Sequence, residues 1–195
     1  MQKRTYRLTV RLCSPLHING GTDADNTRIP VMLDGKPYIP ATAMKGLIRE
    51  KFSACLKLLG GVECVGRESA ETPCGCPCCV LFGKAGFQPS RVFFDHLTVP
   101  DALEPVLSLR TYVAIDRRLR TGLEGMLAGT RVVEPLAKNG QPLEFSGDMT
   151  VWYAGDAAQI ARTDALLQTA VRNVIEIGSG KSRGYGLVET EVTAL

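Results

Sequence analysis

Cysteines are the residues most able to bind a metal in this sequence, and five of the seven lie between positions 62 and 79. These five are Cys64, Cys74, Cys76, Cys78 and Cys79. Thiolates this close together in sequence fit a tetrahedral zinc ion better than they fit disulfide bonds. The spacing predicts a structural zinc site formed by Cys64, Cys74, Cys76 and Cys79, with Cys78 as the alternative ligand. A metal-free, cysteine-rich loop is the other interpretation.

A glycine-rich segment at residues 178–186 could bind phosphate. It contains Gly-Lys-Ser, but the first glycine of a nucleotide-binding P-loop would fall on Ile175, and the segment leads from a predicted helix to a predicted strand, the reverse of a P-loop. We instead predict contacts to RNA, since exposed amides and cations bind phosphate and a tyrosine can stack on a base. The predicted contacts are Gly180, Lys181, Ser182, Arg183, Gly184 and Tyr185. A solvated connecting loop is the alternative.

Two further polar groups could contact an anion. Thr42, Lys45 and Arg49 lie at the start of a predicted helix, where free amides attract phosphate, although an ordinary solvated helix face has the same pattern. His17 and Asn19 follow the first predicted strand. A single histidine in this position is more often structural than catalytic.

Composition excludes several classes of protein. The chain has 23 Lys and Arg against 20 Asp and Glu, so a uniformly basic coat for nucleic acid is excluded, whereas a local basic groove is not. No apolar run reaches the roughly 18–20 residues of a membrane helix, and the start of the chain lacks a signal peptide. We therefore expect a cytoplasmic protein without membrane contact.

The elements that position these residues alternate between strands and helices. Apolar spacing predicts strands at 3–13, 91–99, 143–153 and 185–192, a small hairpin at 30–39, a helix from about 42 to 59 and another after Asp156. Thr42 and Asp156 are candidate helix caps, and Cys13 and Cys55 are expected to be small core residues. The order predicts an α+β protein with a ferredoxin-like (RRM-like) β-α-β-β-α-β core, a single antiparallel sheet covered on one face by two helices.

Five short motifs in a fixed order resemble the RAMP superfamily of CRISPR effector proteins, in particular the repeating backbone subunit of type III-like complexes. They are LHINGG (16–21), PYIP with TAMKG (37–46), CPCCVLFG (76–83), VAIDR (113–117) and GKSRGYG (180–186). The similarity spans nearly the whole chain. It implies one domain over residues 1–195, with a zinc-knuckle insert at about 60–83 and a thumb hairpin at about 105–134.

The resemblance implies a subunit that polymerises along a CRISPR guide RNA and holds the duplex between guide and target RNA. The region after the first strand, the start of the first helix and the glycine-rich loop would hold the guide, and Arg117, Arg118 and Arg120 in the thumb would contact the duplex. Implied partners are guide RNA, target RNA, further copies of the chain and other effector subunits, including a separate nuclease.

One departure from the family concerns catalysis. In members that cut target RNA an aspartate lies just before the Pro-Val that leads into the small hairpin. Here that position, before Ile29-Pro30-Val31, is Arg28, which cannot act as a base or bind a metal. Asp23 and Asp25 are weak substitutes that would support a Mg²⁺-dependent endoribonuclease. Two other hypotheses are a metal-independent processor of repeat RNA with His17 as general base, and a zinc-stabilised interaction protein without RNA.

Overall fold

The computed structural model describes residues 1–61, 75–84 and 88–195. Its strands are β1 (Gln2–Leu12), β2 (Asn19–Thr22), β3 (Arg28–Pro30), β4 (Met32–Leu33), β5 (Lys36–Ile39), β6 (Val92–Phe94), β7 (Leu97–Thr98), β8 (Leu107–Ile115), β9 (Gly122–Val133), β10 (Glu144–Tyr153) and β11 (Val188–Ala194). Its α-helices are α1 (Ala41–Leu58), α2 (Pro77–Phe82) and α3 (Ala157–Arg172). The predicted α+β class is confirmed.

The main sheet is built around β1. This strand pairs antiparallel with β10 on one side and with β11 on the other, and β6 and β7 extend the sheet beyond β10. Alternate residues of β1 are buried, and these include Tyr6, Leu8 and Val10. They face the helices, whereas the residues between them form the opposite, uncovered face of the sheet.

The helices α1 and α3 cover the buried face of the main sheet. Met44, Ile48 and Phe52 recur every four residues along α1 and are fully buried, as expected for the inner stripe of an amphipathic helix. In α3 the equivalent stripe includes Ile160 and Leu167. The apolar spacing after Asp156 predicts that Ile175 belongs to the same stripe. In the structure α3 ends at Arg172, and the side chain of Ile175 is exposed.

Local signals at the ends of elements were only partly correct. Asp156 caps α3 as predicted: it accepts a hydrogen bond from the Gln159 amide at 2.8 Å, and the Gln159 side chain accepts one from the Asp156 amide. Thr42 does not cap α1, because the helix already begins at Ala41 after Pro40. Cys13 is exposed instead of buried, since β1 ends one residue earlier.

A buried carboxylate fixes α3 to the main sheet. Asp164 accepts hydrogen bonds from the hydroxyls of Tyr6 and Tyr153 and from the guanidinium of Arg4. Burial and the hydrogen bond to Asp164 raise the pKa of Tyr153, so this hydroxyl stays protonated and donates. The side chains of β1 and β10 thereby share one acceptor on α3.

A second sheet, which the prediction of a single sheet missed, has the order β2-β3-β9-β8. Its largest part is the antiparallel hairpin of β8 and β9, and the short β3 runs parallel to β9 with Arg28 opposite Thr130. The composition of residues 17–29 predicts only a polar loop, but β2 lies inside this segment and β3 begins in it and ends at Pro30. Most of the hairpin is exposed on both faces.

Membrane insertion has no support from the helices. Within the described residues, none of the helices combines the length and the apolar character needed to span a bilayer.

Candidate nucleic-acid interface

Three segments that are far apart in sequence meet at one edge of the main sheet. The chain leaving β1 exchanges two backbone hydrogen bonds with the base of the hairpin, between Leu16 and Val133, each 2.8 Å long. On its other side it accepts hydrogen bonds from the glycine-rich loop, at the Pro15 and His17 carbonyls. We call this arrangement of residues 15–18, 130–133 and 178–186 the loop edge.

Two glycines of the loop are required by this close backbone packing. A Cβ atom on Gly178 would overlap the carbonyl oxygen of His17, and one on Gly186 would overlap that of Ile177. Both residues also have φ near +80°, which side chains disfavour. The glycines that suggested phosphate binding therefore also serve to seat the loop on the chain leaving β1.

The central part of the loop projects its cations outward. Lys181–Arg183 forms one turn of 3₁₀ helix between Gly180 and Gly184, both in the left-handed conformation. Lys181, Ser182 and Arg183 are exposed. Neither cation forms an ion pair within residues 1–61, 75–84 and 88–195, so their charges are available to an anion.

Arg183 also connects the loop to the hairpin. Its guanidinium lies 4.4 Å from the ring centre of Tyr112 in β8 and 5.9 Å from that of Tyr185. The hydroxyls of the two tyrosines contact each other. Tyr185, predicted as a base-stacking residue, is thus half-buried in a cation–π cluster, and sequence reasoning gave no indication that Tyr112 would be its partner.

His17 is buried at the centre of the loop edge, with 2% of its surface exposed. Its Nδ1 lies 2.8 Å from the carbonyl oxygen of Arg131, which only accepts, so Nδ1 carries the proton. Nε2 is therefore an acceptor, and it is buried without a hydrogen-bond partner among the residues that the structure describes. Burial, together with the charges of Arg28 and Arg183, lowers the pKa of His17 and keeps the ring neutral.

The basic residues of α1 form a separate surface. Lys45 and Arg49 are half-buried neighbours, and the pKa of Lys45 is lowered by burial and by the charge of Arg49. Thr42 is exposed in the first turn, next to the Ala41 amide that donates to His96 Nδ1 at 3.0 Å. No hydrogen bond or ion pair of the described residues joins these three predicted RNA contacts to the loop edge.

The hairpin tip presents three predicted RNA contacts to solvent. Asp116 accepts hydrogen bonds from the amides of Arg118 and Leu119 at 2.7 and 3.0 Å, and these bonds lower the pKa of Asp116. Arg117, Arg118 and Arg120 are exposed around this turn. The carboxylate thus shapes the tip through backbone contacts and leaves the arginine side chains directed to solvent.

The weak catalytic candidates lie in the turn between β2 and β3. Asp23 accepts hydrogen bonds from the amides of Asp25 and Thr27 and is 3.5 Å from the Arg131 guanidinium. Asp25 is exposed, as is Asn19, which accepts from the Gly21 amide. In the described parts of the chain no three His, Cys, Asp or Glu side chains are grouped closely enough to hold a metal.

Two of the predicted zinc ligands, Cys76 and Cys79, and the alternative ligand Cys78 lie in or beside α2. Cys76 precedes the helix, and its Sγ accepts a hydrogen bond from the Cys79 amide at 3.3 Å. Cys78 and Cys79 are buried, and Cys79 Sγ is 4.0 Å from Arg49 Nη2. Cys64 and Cys74 lie outside the described residues.

A pair of glycine substitutions tests whether the loop must pack against the chain leaving β1. Gly186→Ala introduces both an unfavourable φ and a backbone overlap, whereas Gly184→Ala has a similar φ, +82°, and open space around its Cβ. We expect Gly184→Ala to cost about 1 kcal/mol and Gly186→Ala clearly more. Urea unfolding of both variants measures this, and equal losses would contradict the packing role.

The buried neutral state of His17 predicts a pH dependence of stability. Because folding lowers its pKa below 6.5, the unfolded chain binds the proton more tightly, and stability falls as the pH drops below 6.5. His17→Gln stays neutral and can still donate to Arg131. We expect this variant to lose less unfolding free energy than the wild type between pH 7 and pH 5. Parallel curves in urea titrations would show that His17 is not protonated on unfolding.

Comparison with known proteins supplies the family. A search of curated proteins found no significant match. The model of the RAMP superfamily matches residues 9–189, a range that contains the loop edge, the hairpin and both long helices. The match extends over more than nine-tenths of the sequence, and the chain therefore belongs to the RAMP superfamily.

Proposed function

We propose that this protein is a guide-RNA-binding backbone subunit of a type III-like CRISPR effector complex. Members of its superfamily are CRISPR-associated proteins that act within RNA–protein complexes. The particular role as a repeating subunit, which polymerises along the guide and holds the duplex between guide and target, is our proposal. Sequence specificity would then come from base pairing between guide and target RNA and not from the protein.

The loop edge is the observation that carries the proposal. Arg28, Lys181 and Arg183 place three cations around it, and none of them has a carboxylate partner within the described residues. Exposed cations without a carboxylate partner attract a polyanion such as the RNA backbone. His17, buried and neutral beneath these cations, holds the hairpin base through its bond to the Arg131 carbonyl and so fixes the surface that they share.

The hairpin suits contact with a duplex. Its tip combines three exposed arginines with Leu119, of which 68% is exposed. Apolar side chains inserted between base steps can unstack them, and arginine both neutralises phosphate and stacks on exposed bases. Through Tyr112 and Arg183 the hairpin is attached to the loop edge, so both surfaces would engage the same guide.

We also propose that the core is the ferredoxin-like arrangement. The antiparallel strand order β11-β1-β10-β6 supports this assignment, because it matches the four-stranded sheet of that fold. The helices α1 and α3 would be the two helices that cover the sheet. In this assignment β2–β5 belong to the connection before α1, and the hairpin is an insertion between β7 and β10.

A co-purification experiment tests the proposed function. Expressed with a CRISPR array and its neighbouring effector genes, the full chain should retain discrete guide RNAs. Lys181→Gln/Arg183→Gln should weaken binding and reduce the salt dependence of the affinity by about 1.4 in log–log slope if both cations contact single-stranded phosphates. Arg162→Gln/Arg172→Gln removes the same charge from α3 and serves as the control. Absence of guide RNA from the wild-type complex would reject the proposal and favour an interaction protein.

The same complex distinguishes a scaffold from a nuclease. Asp23 is engaged with two amides and Arg131, which favours a structural role for its carboxylate. We therefore expect complementary target RNA to be bound, and any Mg²⁺-dependent cutting to persist in Asp23→Asn/Asp25→Asn. Regularly spaced cuts that disappear in this variant would instead make the chain the endoribonuclease.

We further propose a structural zinc ion bound by Cys64, Cys74, Cys76 and Cys79. The amide-to-sulfur hydrogen bond from Cys79 to Cys76 fits such a site, because ligating thiolates accept hydrogen bonds from nearby amides. After dialysis against chelator-treated buffer, the purified chain should hold about one zinc per molecule. Cys76→Ser and Cys79→Ser should lose it, whereas the exposed Cys13→Ser should retain it. A wild-type chain without zinc would reject this site.

A further inference from the structure

The uncovered face of the main sheet carries an exposed aromatic pair, Trp152 in β10 and Phe93 in β6. Trp152 is 39% exposed and Phe93 54% exposed. Their sequence neighbours Val151 and Val92 are buried against the helices, so alternation directs the two rings away from the core. Neither ring therefore contributes to the hydrophobic core of this domain.

Two cations lie in line with the tryptophan. Strand register places Lys3 directly opposite Trp152, and Lys3 Nζ is 5.8 Å from the indole ring centre. On the other side the Trp152 amide donates to the Arg91 carbonyl at 2.9 Å, and alternation with the buried Val92 directs Arg91 to the same face. We call Lys3, Arg91, Phe93 and Trp152 the sheet-face patch.

The charges on this face are arranged unequally. Toward the loop edge the arginines are paired, Arg7 with Asp148 at 2.5 Å and Arg11 with Glu144 at 2.8 Å. Phe93 pairs across the sheet with Thr150 in β10, which in turn pairs with Thr5 in β1, and neither threonine is charged. Lys3 and Arg91 form no ion pair within the described ranges. The patch is therefore the part of the face with unneutralised positive charge.

We propose that the sheet-face patch is a binding site for single-stranded nucleic acid. Unpaired bases stack on aromatic rings irrespective of sequence, and flanking cations neutralise the phosphates. A protein partner is less favoured, because a stable interface needs about 800 Å² per partner with an apolar centre, and here two rings stand among charged and hydroxyl side chains. The site does not rest on the proposed function.

The patch is distinct from the loop edge. β1 begins beside the patch and ends at the loop edge, and its 11 residues span roughly 35 Å. Nucleic acid at the patch would therefore be either a distant part of a bound strand or a second strand. In either case it contacts this protein through unpaired bases.

The chain contains one tryptophan, so intrinsic fluorescence reports on the patch directly. Titration of the full-length protein with a single-stranded oligoadenylate should quench this fluorescence, and added salt should weaken the effect. An abasic ribose-phosphate oligomer of the same length keeps the charge and lacks the bases. We expect it to bind weakly and to leave the fluorescence nearly unchanged.

Variants separate stacking from charge and from general apolar contact. Phe93→Leu keeps apolar bulk without a planar ring and should reduce the oligoadenylate affinity about tenfold, as expected for loss of one base-stacking contact. Lys3→Gln and Arg91→Gln should lower affinity and salt dependence, whereas Arg172→Gln, on the helical layer, should not. Unchanged affinity in Phe93→Leu would overturn the stacking proposal.

Other outcomes are equally decisive. Absence of quenching by oligoadenylate, or equal quenching by the abasic oligomer, would reject the site. A concentration-dependent shift of the tryptophan emission without RNA would instead assign the patch to contact between copies of the chain. Lys181→Gln/Arg183→Gln should keep the quenching, so failure of the patch and failure of guide binding at the loop edge are distinguishable.

Discussion

The whole candidate interface depends on how the chain is held as it leaves β1. Its backbone is paired with the hairpin base on one side and with the glycine-rich loop on the other, through Leu16, His17 and their partners. Backbone groups buried in this way must be paired, so none of the three segments can move independently without losing hydrogen bonds. Glycine at positions 178 and 186 is the condition for this approach, because a Cβ would meet a carbonyl oxygen.

Ion pairs distinguish two kinds of surface region: those whose cations are paired with carboxylates of the same chain, and those whose cations can bind an anionic partner. On the uncovered sheet face, Arg7 and Arg11 are neutralised by carboxylates on neighbouring strands, and on the helical side Arg4 is neutralised by Asp164. At the loop edge, by contrast, Arg28 and Arg183 act on His17, whose pKa is lowered by burial and by these two charges. Cations that lower the pKa of a neighbouring base and have no carboxylate partner in the described part of the chain favour an anionic partner.

Arg183 illustrates how a residue in such a region can serve two purposes. Its guanidinium packs on Tyr112 and Tyr185, which leaves its outer edge and charge exposed. The position of the hairpin is thereby coupled to the residue that faces the guide in our proposal. Binding at the loop edge and the angle of the hairpin would consequently influence each other, since a cation cannot keep full contact with both rings while moving toward a phosphate.

The sequence alone determined the elements whose signals are local: the alternation of β1, the apolar stripe of α1, the Asp156 cap and the ordered motifs that indicated the family. Thr42 and Ile175 were misassigned because the end of a helix depends on which side chain or backbone group satisfies its free amides and carbonyls. Only the tertiary structure joined His17 to Arg131, Tyr112 to Arg183 and Lys3 to Trp152. Those contacts link residues 71 to 149 positions apart, and contacts that close such long loops leave no periodic trace in the sequence.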